Sequence, residues 1–181
     1  MTNINELQIV TMLRDPKTRD KGFTLLMDTY KEPVYWHIRR LVVSHEDAED
    51  ILQETFINAH RYAAFFNGNS KLFSWLYRIA TNECIRLFRK NKGKSAEKFV
   101  IGLALIDKIS ESQPENSENI LAKFQKAILM LPEKQRLVFN MRYYDELKYQ
   151  EISEILGSSV NSMKTNYHYA TKKIKEYLKN S

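Results

Sequence analysis

The chain has 181 residues, 43% of them hydrophobic, enough for one or two small folded domains; four prolines and five glycines favour long helices over a turn-rich β fold. Lysine and arginine number 28 against 22 aspartates and glutamates, and the formal charge of +6 permits a polyanionic partner without establishing one. The lone Cys84 excludes an internal disulfide, no metal or cofactor site is suggested, and neither a signal peptide nor an apolar run of about 18 residues is visible, so a soluble cytoplasmic protein is expected.

A first helical block is expected from about Lys21 to Asn91. Phe23, Leu26, Met27, Tyr30 and Val34 recur at helical intervals, followed by Ile38 and Leu41, with Pro33 marking a kink or a helix junction. Ser44 suits the N-cap of the next helix, with Asp47 at the capping-box position. That helix carries Ala48, Ile51, Leu52, Thr55, Phe56 and Ala59 on its inner side. A break around Asn67, Gly68 and Asn69 precedes another helix, roughly Leu72 to Lys90. A short helix over Ile101 to Ile109 comes next, and Ser110 to Asn119 reads as a polar, acidic linker containing Pro114. A second helical block runs from about Ile120 to the C-terminus.

That second block holds the sharpest pattern. Pro132 suits the first turn of a helix over Glu133 to Tyr144, whose inward face is Leu137, Val138 and Met141. Ile152, Ile155 and Leu156 make the following short helix amphipathic, and Ser153 is small enough to admit a crossing helix. Gly157 fits the left-handed residue at that helix's end, and Ser158 or Ser159 can cap the helix that follows. There Val160, Met163, Tyr167, Ala170 and Ile174 form a buried stripe. Ser162, Lys164, Thr165, Asn166, His168, Tyr169 and Lys172 face the other way. A short helix, a three-residue glycine turn and a longer, lightly basic helix fit the arrangement that reads DNA, with Asn166 and Lys164 at base edges and Lys172, Lys173 and Lys175 at phosphates. The same pattern also suits a helical hairpin used for protein packing.

Two surfaces of opposite charge stand out in the first block. Glu46, Asp47, Glu49, Asp50 and Glu54 crowd one helix around Gln53, and Asp50 and Glu54 share a face at a mild cost to the isolated helix. This ridge would repel DNA phosphates, and it suits either a basic protein partner or water. On the later helix Phe73, Leu76, Ala80, Cys84 and Leu87 make one face, and Trp75, Arg78, Asn82, Arg86 and Arg89 the other. Arg78 to Lys98 holds seven basic residues against Glu83 and Glu97. Interleaved aromatic and basic side chains can stack bases and hold a backbone when strands separate, with Phe65, Phe66 and Trp75 as stacking candidates that equally suit the core.

Together these segments resemble the extracytoplasmic-function (ECF) sigma factors of the sigma-70 family, which direct bacterial RNA polymerase to promoters. The matching N-terminal text is Glu46-Asp-Ala-Glu-Asp-Ile-Leu-Gln-Glu-Thr-Phe56, Phe66-Asn-Gly68, Trp75-Leu-Tyr-Arg-Ile-Ala-Thr-Asn82 and Phe88-Arg-Lys90. The matching C-terminal text is Leu131-Pro-Glu-Lys-Gln-Arg-Leu-Val-Phe139 and Tyr149-Gln-Glu-Ile-Ser-Glu-Ile-Leu-Gly157. The resemblance implies an all-α fold of two small helical domains, a region 2-like domain over 1–93 and a region 4-like helix-turn-helix domain over 120–181. A flexible linker over 94–119 would thread toward the RNA exit channel.

By the same resemblance, Asp47, Asp50, Gln53 and Glu54 lie where the family grips the coiled-coil of the polymerase β′ subunit. The loop of Asn67, Gly68, Asn69, Ser70 and Lys71, with Trp75, Arg78, Asn82 and Arg86, corresponds to recognition and melting of the −10 element, the loop receiving a flipped base. Ser162, Lys164, Thr165, Asn166, His168, Tyr169 and Lys172 correspond to the helix that reads the −35 element. The implied partners are the polymerase core, through β′ and β, promoter DNA, and the anti-sigma factor that restrains many members. No cofactor, metal, catalytic residue or membrane insertion is implied. The family's recognition helix commonly opens on Gly-Thr and carries several arginines, whereas this chain has Asn161-Ser162 and then Asn166, Tyr169 and Thr171. Fewer bidentate arginine contacts weaken or redirect base readout there.

Two other classes of function fit parts of the pattern. A stand-alone two-domain helix-turn-helix regulator would bind duplex DNA without polymerase. An interaction protein whose helices bind only protein would show no salt-dependent DNA affinity.

Overall fold

A computed structural model describes residues 6–42, 44–66, 68, 70–90 and 117–180. These residues form eight α-helices and one short 3-10 turn, with no strand among them. The chain divides into two compact units between Leu87 and Phe88. The helix expected over Ile101 to Ile109, and Lys92, Lys94 and Lys98, lie outside the described residues.

The first unit contains α1 (Glu6–Arg14), α2 (Arg19–Leu41), α3 (His45–Tyr62), the 3-10 turn Ala63–Phe65 and α4 (Leu72–Lys90). The expected block from Lys21 missed α1, which buries Ile9, Val10 and Leu13 against α2. Gly22 makes that approach possible, because a Cβ there would lie 2.8 Å from the Cβ of Met12 and 3.0 Å from the Leu13 nitrogen. Pro33 does not divide α2, which runs unbroken through it. Thr29, whose carbonyl loses its helical donor to the proline, and Pro33 are both exposed, so water can take the place of the missing N–H.

Ser44 caps α3, its side chain accepting the Asp47 N–H at 3.3 Å. The expected inner stripe of α3, from Ala48 to Ala59, is buried. Helix α4 has the expected bounds and buries Leu76, Ala80 and Cys84, while Phe73 and Leu87 are half-buried. Polar contacts pin it to α2: buried His37 Nε2 and Thr81 Oγ1 are 2.9 Å apart, and Tyr77 donates to the Pro33 carbonyl at 3.1 Å. Such satisfied buried groups fix one register of packing where apolar contacts alone would allow slippage.

The second unit contains α5 (Ser117–Leu129), α6 (Glu133–Tyr143), α7 (Tyr149–Leu156) and α8 (Val160–Asn180). Helix α5 begins three residues inside the segment expected as linker. Ala127, Ile128, Leu131, Phe139, Ala170 and Ile174 form a core flanked by Phe124, Tyr144, Tyr167 and Tyr177. Phe139 stacks between Tyr143 and Tyr167, at 5.2 and 5.8 Å and 14° to each, a geometry that adds about 0.5–1.5 kcal/mol per pair to apolar burial. The turn from α6 to α7 places Glu146 at φ 54, a left-handed conformation for a residue with a Cβ. The turn is held by the Arg142 guanidinium, which donates to the Leu147 carbonyl at 3.0 Å.

Candidate nucleic-acid interface

The tightest local geometry is the turn between α7 and α8. Gly157 sits at φ 61, ψ 37, as the sequence requires of a helix stop, and Ser158 N–H donates back to the Ser153 carbonyl at 3.2 Å. Ser153 does more than provide room, since its hydroxyl donates to the Ser158 carbonyl at 2.6 Å. Of the two candidate caps it is Ser159 that accepts the Ser162 N–H, at 3.2 Å. Ile152 and Met163, both fully buried, anchor α7 and α8 in the core on either side of this turn. The result is a rigid helix-turn-helix, one face of α8 being left to solvent.

On that face Lys164, Thr165, His168, Tyr169 and Lys172 are exposed. Ser162 and Asn166 are half-buried, and the Asn166 amide donates to the Ser162 carbonyl at 2.7 Å. The Asn166 amino group is therefore engaged with its own helix. A bidentate contact to adenine needs both groups, so the side chain must turn before it can make one. Lys172 is 3.9 Å from Glu176, an exposed pair one turn apart. Among tyrosines nearby, burial first and then Tyr149 push the Tyr167 hydroxyl above its ordinary value, with Arg142 opposing and Tyr143 adding.

The first unit displays its two charged surfaces on adjoining helices. On α3, Asp50 and Gln53 are exposed and Asp47 and Glu54 half-buried. Beside this ridge, between α2 and α3, lies a mainly apolar groove of about 520 Å³ lined by Phe23, Met27, Leu52, Phe56 and Ile57, together with polar Lys31, Glu49, Gln53 and His60. The sequence could not show this groove, because its walls come from two helices whose relative rotation is set only by packing.

On α4, Arg78, Asn82 and Arg86 are exposed along one side, and Trp75 is half-buried with its ring 5.1 Å from that of Phe66. The three stacking candidates separate: Phe65 is 79% exposed, Phe66 is core at 5%, and Trp75 lies between. Gly68 has φ 76, Ser70 is half-buried and Lys71 exposed, while Asn67 and Asn69 lie outside the described residues.

The two faces meet at a polar seam that the sequence analysis missed. Arg86 is 2.7 Å from Glu83 and 4.0 Å from Glu54, and the Asn58 amide donates to Glu83 at 3.1 Å and to Glu54 at 3.4 Å. Arg86 thus stands between carboxylates at the margin of the basic face. Its partner Glu83, three residues away, was visible in principle as an i,i+3 pair; Asn58 and Glu54, on another helix, were not.

Among the described residues no three His, Cys, Asp or Glu side chains are grouped to hold a metal, and no helix is long and apolar enough to cross a membrane. What the geometry defines is a two-unit helical protein whose first unit bears adjoining acidic and aromatic-basic faces and whose second unit holds a helix-turn-helix. That class can be placed more closely by comparison. The sigma-70 region 2 family model matches residues 26–94 and the sigma-70 region 4 model residues 121–174. The chain is 34% identical to the ECF RNA polymerase sigma factor SigW of Bacillus subtilis, over 96% of this chain and 98% of that one. It is 33% identical to the ECF RNA polymerase sigma-E factor of Escherichia coli K12, over 91% of each.

In fold it is similar to CnrH solved with the cytosolic domain of CnrY (TM-score 0.69, 16% identity, 97% of this chain and 96% of that chain). It is likewise similar to RpoE solved with the anti-sigma factor NepR from Bartonella quintana (TM-score 0.67, 23% identity, 88% and 98%). The chain belongs to the ECF branch of the sigma-70 family. It is a non-catalytic subunit that binds RNA polymerase and recognises promoters.

Proposed function

We propose a division of that work among the surfaces described above. The domains are 1–93, which grips core polymerase and the −10 element, 94–119 as linker, and 120–181, which reads the −35 element. On α3, Asp47, Asp50, Gln53 and Glu54 dock the coiled-coil of the β′ subunit. The observation that carries this is the acidic ridge running beside the α2–α3 groove: a basic amphipathic helix would bury apolar side chains in the groove and pair its charges with the ridge.

The connection of Asn67, Gly68, Asn69, Ser70 and Lys71 captures a flipped base of the −10 element. Trp75, Arg78 and Asn82 hold the separated strand by stacking and charge, with Arg86 at the edge of that face. On α8, Lys164, Thr165, His168, Tyr169 and Lys172 face the major groove of the −35 element, with half-buried Ser162 and Asn166 beside them. A solved structure of the same fold, RpoE from Bartonella quintana, carries the anti-sigma factor NepR, which supports an anti-sigma factor as a further, inhibitory partner of this chain. As a sigma factor it works in the cytoplasm, where polymerase and DNA are.

Transcription reconstituted from purified core polymerase and this chain tests the assignment as a whole. Initiation at a subset of promoters from its own genome, absent without the chain, is the expected result. A chain that binds promoter duplex equally well with and without core would instead be a stand-alone regulator.

A further inference from the structure

Helix α1 carries no family motif, yet it reaches both ends of the connection that leads into α4. Arg14, its last residue, donates from Nε at 3.1 Å and from Nη2 at 3.0 Å to the carbonyl of Phe66. Glu6, its first residue, accepts the backbone N–H of Leu72, where α4 begins. The partners lie 52 and 66 residues further along the chain. One helix thus holds the residue just before positions 67–71 and the residue just after them. Both bonds pair a charged side chain with a backbone group and are about twice as strong as neutral ones. The Leu72 N–H is one of the donors a helix start leaves unsatisfied, and a carboxylate there also complements the helix dipole.

The helix that provides these groups is itself fixed. Ile9, Val10 and Leu13 are buried, and its final carbonyls are taken by α2, Thr18 Oγ1 donating to Met12 at 3.1 Å and Arg19 Nε to Leu13 at 3.2 Å. Gly68 lies against the same arginine: a Cβ there would be 3.3 Å from Arg14 Nη2. Burial, and secondarily the Glu6 carboxylate, push the Tyr30 hydroxyl above its ordinary value, so Glu6 also faces α2.

We propose that Arg14 and Glu6 are positioning residues for −10 recognition: α1 clasps Phe66 and Leu72 and so sets the spacing of the connection that receives the base. The inference rests on reading positions 67–71 as the −10 reader. A base pocket tolerates little misplacement, so relaxing either end should cost discrimination between bases more than overall affinity.

The test uses the full chain with purified core polymerase and a panel of promoters varied at each −10 base. Arg14→Ala and Glu6→Leu should each lose about tenfold in discrimination, one charge-assisted hydrogen bond's worth, with core affinity as in wild type, a thermal midpoint lowered by a few degrees and the chain still fully folded at the assay temperature. Glu6→Gln keeps an acceptor oxygen and should discriminate like wild type. Arg14→Lys keeps one charged donor and should fall between. The inference alone is overturned if Arg14→Ala and Glu6→Leu discriminate normally, if Glu6→Gln fails as badly as Glu6→Leu, or if discrimination falls only in step with the thermal midpoint. A wild-type chain indifferent to every −10 base would overturn the parent reading and this inference with it.

Discussion

On the first unit, Arg86 at the edge of the proposed DNA face is held by groups from two helices, whereas the Lys172–Glu176 ion pair on the recognition helix of the second lies within the helix itself. Arg86 is fixed by Glu83 and flanked by Glu54, and Glu83 is in turn bonded by Asn58. On α8, Lys164, Thr165, His168 and Tyr169 project from a helix fixed beneath them by Met163, Ala170 and Ile174. The first surface is organised side chain by side chain, the second by the rigidity of the element that carries it. A pre-organised surface suits separated strands, whose bases must be caught in one geometry. A rigid helix with adaptable polar groups suits intact duplex, where the groove itself fixes the approach. The difference also teaches where specificity lies: the second unit, poor in arginine and with its asparagine amide turned inward, has fewer means of selecting a base.

The largest effect is expected where the two charged faces of the first unit part company. Asp50→Ala with Glu54→Ala should weaken binding to core polymerase by about 30-fold, near 2 kcal/mol, because it leaves a basic partner unpaired. Arg86 keeps its Glu83 contact, so the thermal midpoint should stay close to wild type. Fluorescence anisotropy with labelled core measures the first and circular dichroism the second. A loss of core affinity matched by a loss of folding would mean the ridge is structural.

A smaller change separates rigidity from readout in the second unit. Glu146 occupies the left-handed region at φ 54, and Glu146→Gly should relieve strain and stabilise the unit by about 0.5–1 kcal/mol after the added unfolded-state entropy of glycine. Urea denaturation would show a higher midpoint, with affinity for −35 duplex unchanged. A shift in that affinity would show that the turn's conformation is coupled to DNA binding.

The smallest effect concerns Lys164. If it meets phosphate, Lys164→Ala lowers affinity evenly across sequences and reduces the salt slope by about 1; if it meets a base, selectivity changes at a single position. Titrations of −35 duplexes at several salt concentrations distinguish the two.

What the sequence made legible follows from how local each signal is. The bounds of α4, the buried stripe of α3, the Met163, Ala170 and Ile174 part of the α8 stripe (Val160 and Tyr167 are only half-buried) and the Gly157 turn all follow from periodicity and local chemistry over fewer than about 20 residues. Of the two expectations at Pro33 the helix junction fails, because a proline inside a helix is tolerated when its unpaired carbonyl faces water, a matter of which face the core takes. Helix α1 was missed because it is nine residues long, and its docking depends on Gly22 and on partners more than 50 residues away. At the candidate site, the residue types and faces were legible but their pairings were less so. Asn166 with Ser162 is an i,i+4 pair that spacing alone could have suggested. The Asn58–Glu83–Arg86 seam needs the packing of α3 on α4, and the α2–α3 groove needs two helices brought together. Glu146 gave no signal, since a glutamate argues against the conformation it adopts.

On the proposed division of labour, α3 binds polymerase and α4 opens the strands. Permanganate reactivity of −10 thymines, in complexes of core with the Arg78→Ala, Asn82→Ala double variant, tests it most directly. This variant should bind core with wild-type affinity, and the thymines should stay protected as in closed duplex. Thymines as reactive as with the wild-type chain would contradict it.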